Sequence, residues 1–156
     1  MKNIILGLVL VSSLLFSYTM DFDKNTTCLV RHFKVYKAPA WVAKIELQNG
    51  KKVLFSSPKS MFEFYFRPAK WFDIGVKSED DFKDILVTDF KTLKPINARG
   101  AFYIYGANVT SLAGDDLIPF GSYEDAQEFS KKHNGKRILS FKEVSDALIR
   151  LINGRI

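Results

Sequence analysis

The sequence contains very few residues able to bind soft metals or act as nucleophiles. Its 156 residues include one cysteine and two histidines. A single cysteine cannot form an internal disulfide, which excludes a fold stabilised by such bonds. The chain also lacks a glycine-rich phosphate loop, a paired-histidine metalloprotease motif and a nucleophile elbow, so we predict that it is not an enzyme. Lysine and arginine outnumber aspartate and glutamate by 23 to 17. They are spread along the chain, which argues against a nucleic-acid partner.

The first residues have the pattern of an export signal. A basic residue precedes an apolar run over residues 4–16, and small residues follow before Met20. This run is shorter than the roughly 20 apolar residues of a typical membrane span. We therefore predict a signal peptide over residues 1–19, with an uncleaved membrane anchor as the alternative. The remaining residues, 20–156, are predicted to form one domain in the periplasm or cell envelope.

The first half of this domain reads as a β-hairpin followed by a helix. Residues 41–47 and 51–55 are strand-like and flank Asn49-Gly50, a strong hairpin signal. Ser57 is then a helix N-cap, with a proline at the first helical position. The predicted helix, residues 58–66, is rich in aromatic residues and is expected to be buried on most sides.

The second half repeats this order. Polar residues 67–83 are predicted to form a loop or a short exposed helix. Strands are then predicted from β-branched and aromatic content, and a capped helix runs from Ser122 to about residue 132. The predicted strands cover residues 85–90, 101–105, 117–120 and 136–139. A capping box, Ser140 to Glu143, is expected to open a last helix with an apolar stripe. The stripe consists of Val144, Ala147, Leu148, Leu151 and Ile152.

A weak internal repeat relates the two halves. Phe55, Ser57 and Phe64 match Phe120, Ser122 and Phe129, each 65 residues later. The simplest architecture is an α+β fold of two ββα-type halves in one compact domain, preceded by the signal peptide.

The best candidate ligands are Cys28 and His32, which form a Cys-x-x-x-His pair. Thiolate and imidazole both bind Cu(I) and Zn(II), and Met61 could supply a third soft donor. Two alternatives remain open from the residues alone. Cys28 could be a buried apolar residue beside a surface histidine, and Met61 could be a core residue of an aromatic helix.

The order of these segments resembles the nitrous oxide reductase accessory protein family, NosL. The resemblance spans residues 28–141, and its most specific part runs from Val87 to Phe102. Other matching segments are Pro39–Ala43, Gly50-Lys51, Lys59–Tyr65, Leu117–Phe120, Asp125-Ala126, Glu128-Phe129 and Gly135–Leu139. Members of this family are exported, usually lipid-anchored proteins that bind Cu(I) and help load copper into nitrous oxide reductase. Their fold is two ββα-type halves.

The family motif, Cys-Pro-x-Cys-Gly-Met, is altered in this chain. Its first cysteine falls on Cys28, but the second falls on Arg31, the glycine on His32 and the methionine on Phe33. A further family methionine falls near Ala113. Arginine adds a positive charge where a cation would bind. It could also favour the Cys28 thiolate, with His32 then acting as a nitrogen ligand.

The resemblance therefore implies a non-enzymatic Cu(I) chaperone that uses Cys28, His32 and Met61. Its expected partner is a copper enzyme or copper-delivery protein of the cell envelope. The alternative is a copper-incompetent relative that acts as a periplasmic protein-binding module.

Overall fold

The computed structural model describes residues 17–154, which form two antiparallel sheets and three α-helices. The first sheet has the order β2-β1-β3-β4 and the second the order β6-β5-β7. The strands are β1 Ala43–Leu47, β2 Lys52–Phe55, β3 Phe82–Thr88, β4 Pro95–Asn97, β5 Phe102–Tyr105, β6 Leu117–Phe120 and β7 Arg137–Ser140. The helices are α1 Pro58–Phe66, α2 Tyr123–Lys132 and α3 Asp146–Ile152.

This architecture confirms the predicted α+β fold of two ββα-type halves. In each half a hairpin leads into a helix, and a third strand then returns to pair with the first strand of the hairpin. Strands β1, β2 and β3 form this unit around α1, and β5, β6 and β7 form it around α2. The bounds of β6 lie 65 residues after those of β2, as the sequence repeat predicts.

The predicted turn and cap residues have the expected roles. Gly50 adopts a left-handed conformation with φ of +83° in the hairpin between β1 and β2. The Ser57 side chain accepts a hydrogen bond from the Ser60 N–H, and Ser122 accepts one from the Asp125 N–H. Both helices therefore begin where their N-cap serines satisfy backbone donors that the helix leaves unpaired.

The two helices lie in very different environments. Seven of the nine residues of α1 are buried, whereas Ala126 is the buried residue of the ten in α2. Helix α1 packs in the main core, where the ring centroids of Phe62 and of Tyr103 in the other half lie 5.3 Å apart. Helix α2 instead covers the second sheet through a smaller cluster that includes Ile104, Ile118 and Phe120.

Several element boundaries differ from the sequence prediction. Strand β1 begins at Ala43 because Pro39–Trp41 forms a 3-10 turn, in which the Trp41 N–H donates to the Ala38 carbonyl. Strand β3 begins at Phe82, earlier than predicted, since Phe82 pairs with Leu47 on β1. The preceding polar segment contains short 3-10 helices at Pro68–Ile74 and Glu79–Asp81.

The start of the last helix was predicted wrongly. Both hydrogen bonds of the Ser140–Glu143 capping box are present, but they close a 3-10 turn over Phe141–Glu143. Helix α3 begins at Asp146 and is capped by Ser145. This later start rotates the apolar face, so that Ile149 is buried and Leu151 is 45% exposed. Ala147, also assigned to the stripe, is exposed as well.

The predicted signal peptide lies mostly outside the described residues, and its cleavage stays a prediction. Within residues 17–154, no helix has both the length and the apolar character needed to cross a membrane.

Candidate functional site

The candidate ligand Cys28 opens a tight turn over residues 28–33, here called the Cys28 turn. The Cys28 N–H donates to the Phe33 carbonyl at 2.8 Å, and the His32 N–H donates to the Cys28 carbonyl at 2.9 Å. The Arg31 N–H points at the Cys28 sulfur at 3.4 Å. The thiol is free and has no solvent exposure. An incoming metal ion would therefore reach the sulfur only when this turn opens.

His32 is the exposed member of the predicted pair. Its backbone is left-handed, with φ of +58°. The turn brings His32 and Cys28 to one cleft of about 280 Å³, here called the lysine cleft. The cleft is lined by Thr26, Thr27, Cys28, Leu29, His32, Lys51, Lys52, Val53, Leu54 and Ile74. The structure thus places both residues at one cleft, with Cys28 buried and His32 exposed.

Met61 lies apart from this cleft. It is fully buried on α1, in the main core cluster to which Cys28 also belongs. Met61 does not line the lysine cleft. The structure therefore gathers Cys28 and His32 at a common cleft and leaves Met61 in the interior behind them. Across residues 17–154, no cluster of three or more His, Cys, Asp or Glu side chains is arranged to hold a metal ion.

The Arg31 guanidinium bonds to helix α1. Its Nε donates to the Ser60 Oγ at 2.9 Å, and its Nη2 lies 3.2 Å from Glu63 Oε2. The same Nη2 donates to the Asn153 Oδ1 at 2.6 Å, at the C-cap of α3. Arg31 thus ties the Cys28 turn to two helices. Its contact with the sulfur is made by the backbone N–H, and not by the charged group that the sequence suggested.

A second buried polar cluster holds the loop of Ala113 against the start of α1. The Lys59 Nζ donates to the Ala113 carbonyl at 2.7 Å, and the Lys59 N–H donates to Asp116 Oδ1 at 2.8 Å. Burial raises the pKa of Asp116, opposed by hydrogen bonds that include one from Ser111. Burial also lowers the pKa of Lys59, and the nearby Arg31 charge lowers it further, while Asp116 opposes this. The two altered motif positions, Arg31 and Ala113, therefore both lie against the N-terminal half of α1.

Sequence reasoning missed most of these partners. Glu63 and Asn153 are far apart in the sequence, and no local pattern relates either of them to Arg31. The sequence pattern assigns Lys51 and Lys52 no role at the site. Their position beside Cys28 follows from the hydrogen bond between the Leu29 N–H and the Leu54 carbonyl, 3.0 Å long, which joins the Cys28 turn to β2.

Comparison with known proteins identifies the family of the chain and agrees with its fold. The sequence model of the NosL family matches residues 19–149. The crystal structure of the copper chaperone NosL from Shewanella denitrificans is similar with a TM-score of 0.70 and 22% sequence identity. The similarity covers 84% of this chain and 98% of that chain. The solution structure of apo-NosL from Achromobacter cycloclastes has 22% identity and a TM-score of 0.43, covering 69% of this chain and 87% of that chain. No curated protein matches the chain.

Proposed function

The chain belongs to the NosL family, and from this premise we propose that it is a copper-binding accessory protein. It would act in the cell envelope after export, without catalysing a reaction. There it would bind Cu(I) and pass the ion to a copper enzyme such as nitrous oxide reductase. The observation that carries the proposal is that Cys28 and His32, the residues with the two candidate donor groups, both line the lysine cleft.

In this proposal Cys28 is the main donor and His32 the second. Metal binding requires the thiolate, and the Arg31 N–H is a donor placed to bond to it. His32 is exposed, so an incoming ligand can reach it without unfolding the core. Met61 would be a third donor from the core cluster that it shares with Cys28. A site of few ligands suits transfer, because the next protein can add its own ligand before the donor leaves.

A Cu(I) competition titration of the protein lacking residues 1–19 tests this function. We expect stoichiometric binding that is lost in Cys28→Ser and weakened about tenfold or more in His32→Ala, because each change removes one of the two donors. His133→Ala is the matched control, since it removes the other histidine of the chain. Equal binding by wild type and Cys28→Ser would contradict the proposal.

The second candidate is a copper-incompetent protein-binding module, which is favoured by the hydrogen bonds of Arg31. Its guanidinium donates hydrogen bonds to Ser60, Glu63 and Asn153, and these bonds join the turn to both helices. The Arg31→Cys variant separates the two candidates. If wild type fails to bind Cu(I) and Arg31→Cys gains stoichiometric binding, the wild-type chain is the copper-incompetent module. Binding by both proteins supports the copper-binding function.

A further inference from the structure

The lysine cleft is lined by two cationic side chains and by no anionic side chain of the described residues. The titratable residues that line it are Cys28, His32, Lys51 and Lys52, and no carboxylate lines it within the described residues. The Lys51 Nζ lies 3.3 Å from the Asp73 carbonyl oxygen, an acceptor without net charge. Its positive charge is therefore left to act on whatever enters the cleft.

The Lys52 ammonium is only partly compensated. Its nearest carboxylate is Asp21, at 3.6 Å, and both side chains are about half exposed. Asp21 also lies 3.7 Å from the Lys44 Nζ, so one carboxylate is shared between two lysines. An exposed pair of this kind is weak and easily exchanged for a stronger anionic partner.

One wall of the cleft is the outer edge of the first sheet. Strand β2 is the edge strand, and β1 covers only one of its sides. The Leu54 carbonyl points outward and accepts from the Leu29 N–H. By the alternation of an antiparallel pair, the N–H and carbonyl of Lys52 point outward too. No backbone group of residues 17–154 pairs with this outward side of Lys52.

We propose that the lysine cleft is the docking site for an extended acidic segment of a partner protein. Its backbone would bond to the free edge at Lys52, as in other strand-addition complexes. Lys51 and Lys52 are consecutive, and their side chains lie on opposite faces of the strand, against the Asp73 carbonyl and against Asp21. Two consecutive carboxylates of the segment would therefore lie one against each lysine, and the one at Lys52 would replace the shared contact with Asp21. A segment bound there would also pass His32 and lie over Cys28.

The acidic character of the segment follows from the lining of the cleft. A basic segment would meet Lys51, whose ammonium bonds to a carbonyl, and Lys52, whose Asp21 partner is shared with Lys44; this like-charge contact costs free energy on binding. A purely apolar segment would bury the Lys51 ammonium without a charged partner and leave Lys52 only the shared Asp21 carboxylate. An extended acidic segment is therefore the occupant that can pair with both lysine ammonium groups and with the outward backbone groups of Lys52.

This inference deepens the proposed function, because it names how a copper-exchanging partner would reach Cys28. Docking itself requires no metal ion, however. A measurement in the presence of chelator therefore tests the docking site separately from copper binding. A failed Cu(I) titration would therefore leave the docking site to be tested by peptide binding, and a failed peptide experiment would leave copper binding to be tested by titration.

Fluorescence anisotropy with a labelled peptide of Val-Glu-Glu-Val repeats tests the site under chelation, because adjacent glutamates face both sides of the added strand. We expect the wild-type protein to bind this peptide, and a valine–lysine peptide to bind at least about tenfold more weakly. The double change Lys51→Glu/Lys52→Glu should weaken binding of the acidic peptide by at least about tenfold. The matched control is Lys131→Glu/Lys132→Glu, which makes the same charge change at exposed residues of α2. It should leave the affinity within about twofold of wild type at moderate salt.

Hydrogen exchange distinguishes docking at the edge from general charge attraction. The bound peptide should protect the Lys52 amide by accepting its hydrogen bond. A peptide N-methylated at the residues that face the edge should bind more weakly, because the methyl groups keep its backbone from pairing with Lys52. Circular dichroism spectra of both double variants confirm that they fold. Equal loss of affinity in the two double variants, or an unprotected Lys52 amide, would overturn the proposal. Binding to anionic vesicles with no binding to the peptide, or dimerisation through this edge in sedimentation experiments, would overturn it too.

Discussion

At the scale of the single residue, His32 combines a backbone conformation that favours glycine with a side chain that is a candidate ligand. Its φ of +58° lies in the left-handed region, which costs a residue with a β-carbon about 1–2 kcal/mol. The imidazole is exposed, so burial does not offset this cost. The resemblance to the family motif places a glycine here, and the observed backbone is one that glycine adopts readily. We therefore interpret His32 as a residue present for its imidazole at the lysine cleft.

Substitutions of His32 should separate the stability cost of its left-handed backbone from any stabilisation by its imidazole. We expect His32→Gly to raise the free energy of unfolding by about 0.5 kcal/mol, because relief of the left-handed strain exceeds the entropy that glycine adds to the unfolded chain. His32→Val should lower it by about 1 kcal/mol, since branching at the β-carbon adds strain at positive φ. Urea denaturation with chelator present measures both. A less stable His32→Gly protein would show that the imidazole itself stabilises the turn.

The sequence indicates that Cys28 and His32 lie in one short segment, and the structure brings both residues to the lysine cleft. The left-handed backbone at His32 and the bonds of Arg31 could not be predicted in this way. The Arg31 bonds depend on residues 29, 32 and 122 positions away in the sequence, on α1 and beyond α3.

At the scale of the element, the last helix shows that a correctly predicted capping box does not fix the length of the helix that follows it. The capping box of Ser140 and Glu143 forms, but its 3-10 turn ends at once. Val144, which follows it, has ψ of 123°, an extended conformation. It is also 3% exposed, so its side chain packs in the core at the point where the chain bends. Ser145 then begins a new helix. The core position of Val144 depends on tertiary packing, which a local sequence pattern does not contain.

Single serine substitutions test which residue caps α3. The Ser145 Oγ accepts from the Leu148 N–H at 3.1 Å, so Ser145→Ala should lower the free energy of unfolding by about 1 kcal/mol. It should also increase hydrogen exchange at Leu148. Ser140→Ala removes the cap of the 3-10 turn and should leave exchange at Leu148 unchanged. If Ser140→Ala instead increased exchange throughout α3, one continuous helix would begin at Ser140.

At the scale of the whole molecule, the two halves meet through an aromatic contact centred on Tyr103 of β5. Its ring packs edge-on against Phe62 of α1, in the other half. Its hydroxyl donates to the Ala98 carbonyl at 2.6 Å. Burial raises the pKa of Tyr103 well above its ordinary value. The folded state therefore holds this proton more tightly than the unfolded state does, and folding stability is linked to pH in the alkaline range.

The sign of this linkage gives a prediction at high pH. Below about pH 10 the Tyr103 hydroxyl is protonated in both states, and its contribution to stability is complete. Above that pH the unfolded state loses the proton and the folded state keeps it. The free energy of unfolding should therefore fall by up to about 1.4 kcal/mol per pH unit from this group alone.

Urea denaturation between pH 8 and about pH 11 measures this dependence. Tyr103→Phe should be less stable at neutral pH by about 1 kcal/mol, because its hydrogen bond is lost, and should show a shallower decline. Tyr123→Phe changes an exposed tyrosine and serves as the control, since lysine titration is common to all three proteins. Parallel pH profiles for wild type and Tyr103→Phe would refute the linkage.

The unequal burial of α1 and α2 also bears on how this fold tolerates change. Two copies of one structural unit have become, in one half, an interior helix and, in the other, a surface helix. Substitutions over Pro58–Phe64 will commonly disturb packing or buried hydrogen bonds, whereas most positions of Tyr123–Lys132 can vary within about 0.5 kcal/mol. Helix α2 is therefore free to acquire new surfaces, while α1, to which Arg31 of the Cys28 turn is bonded, changes only at a cost to folding.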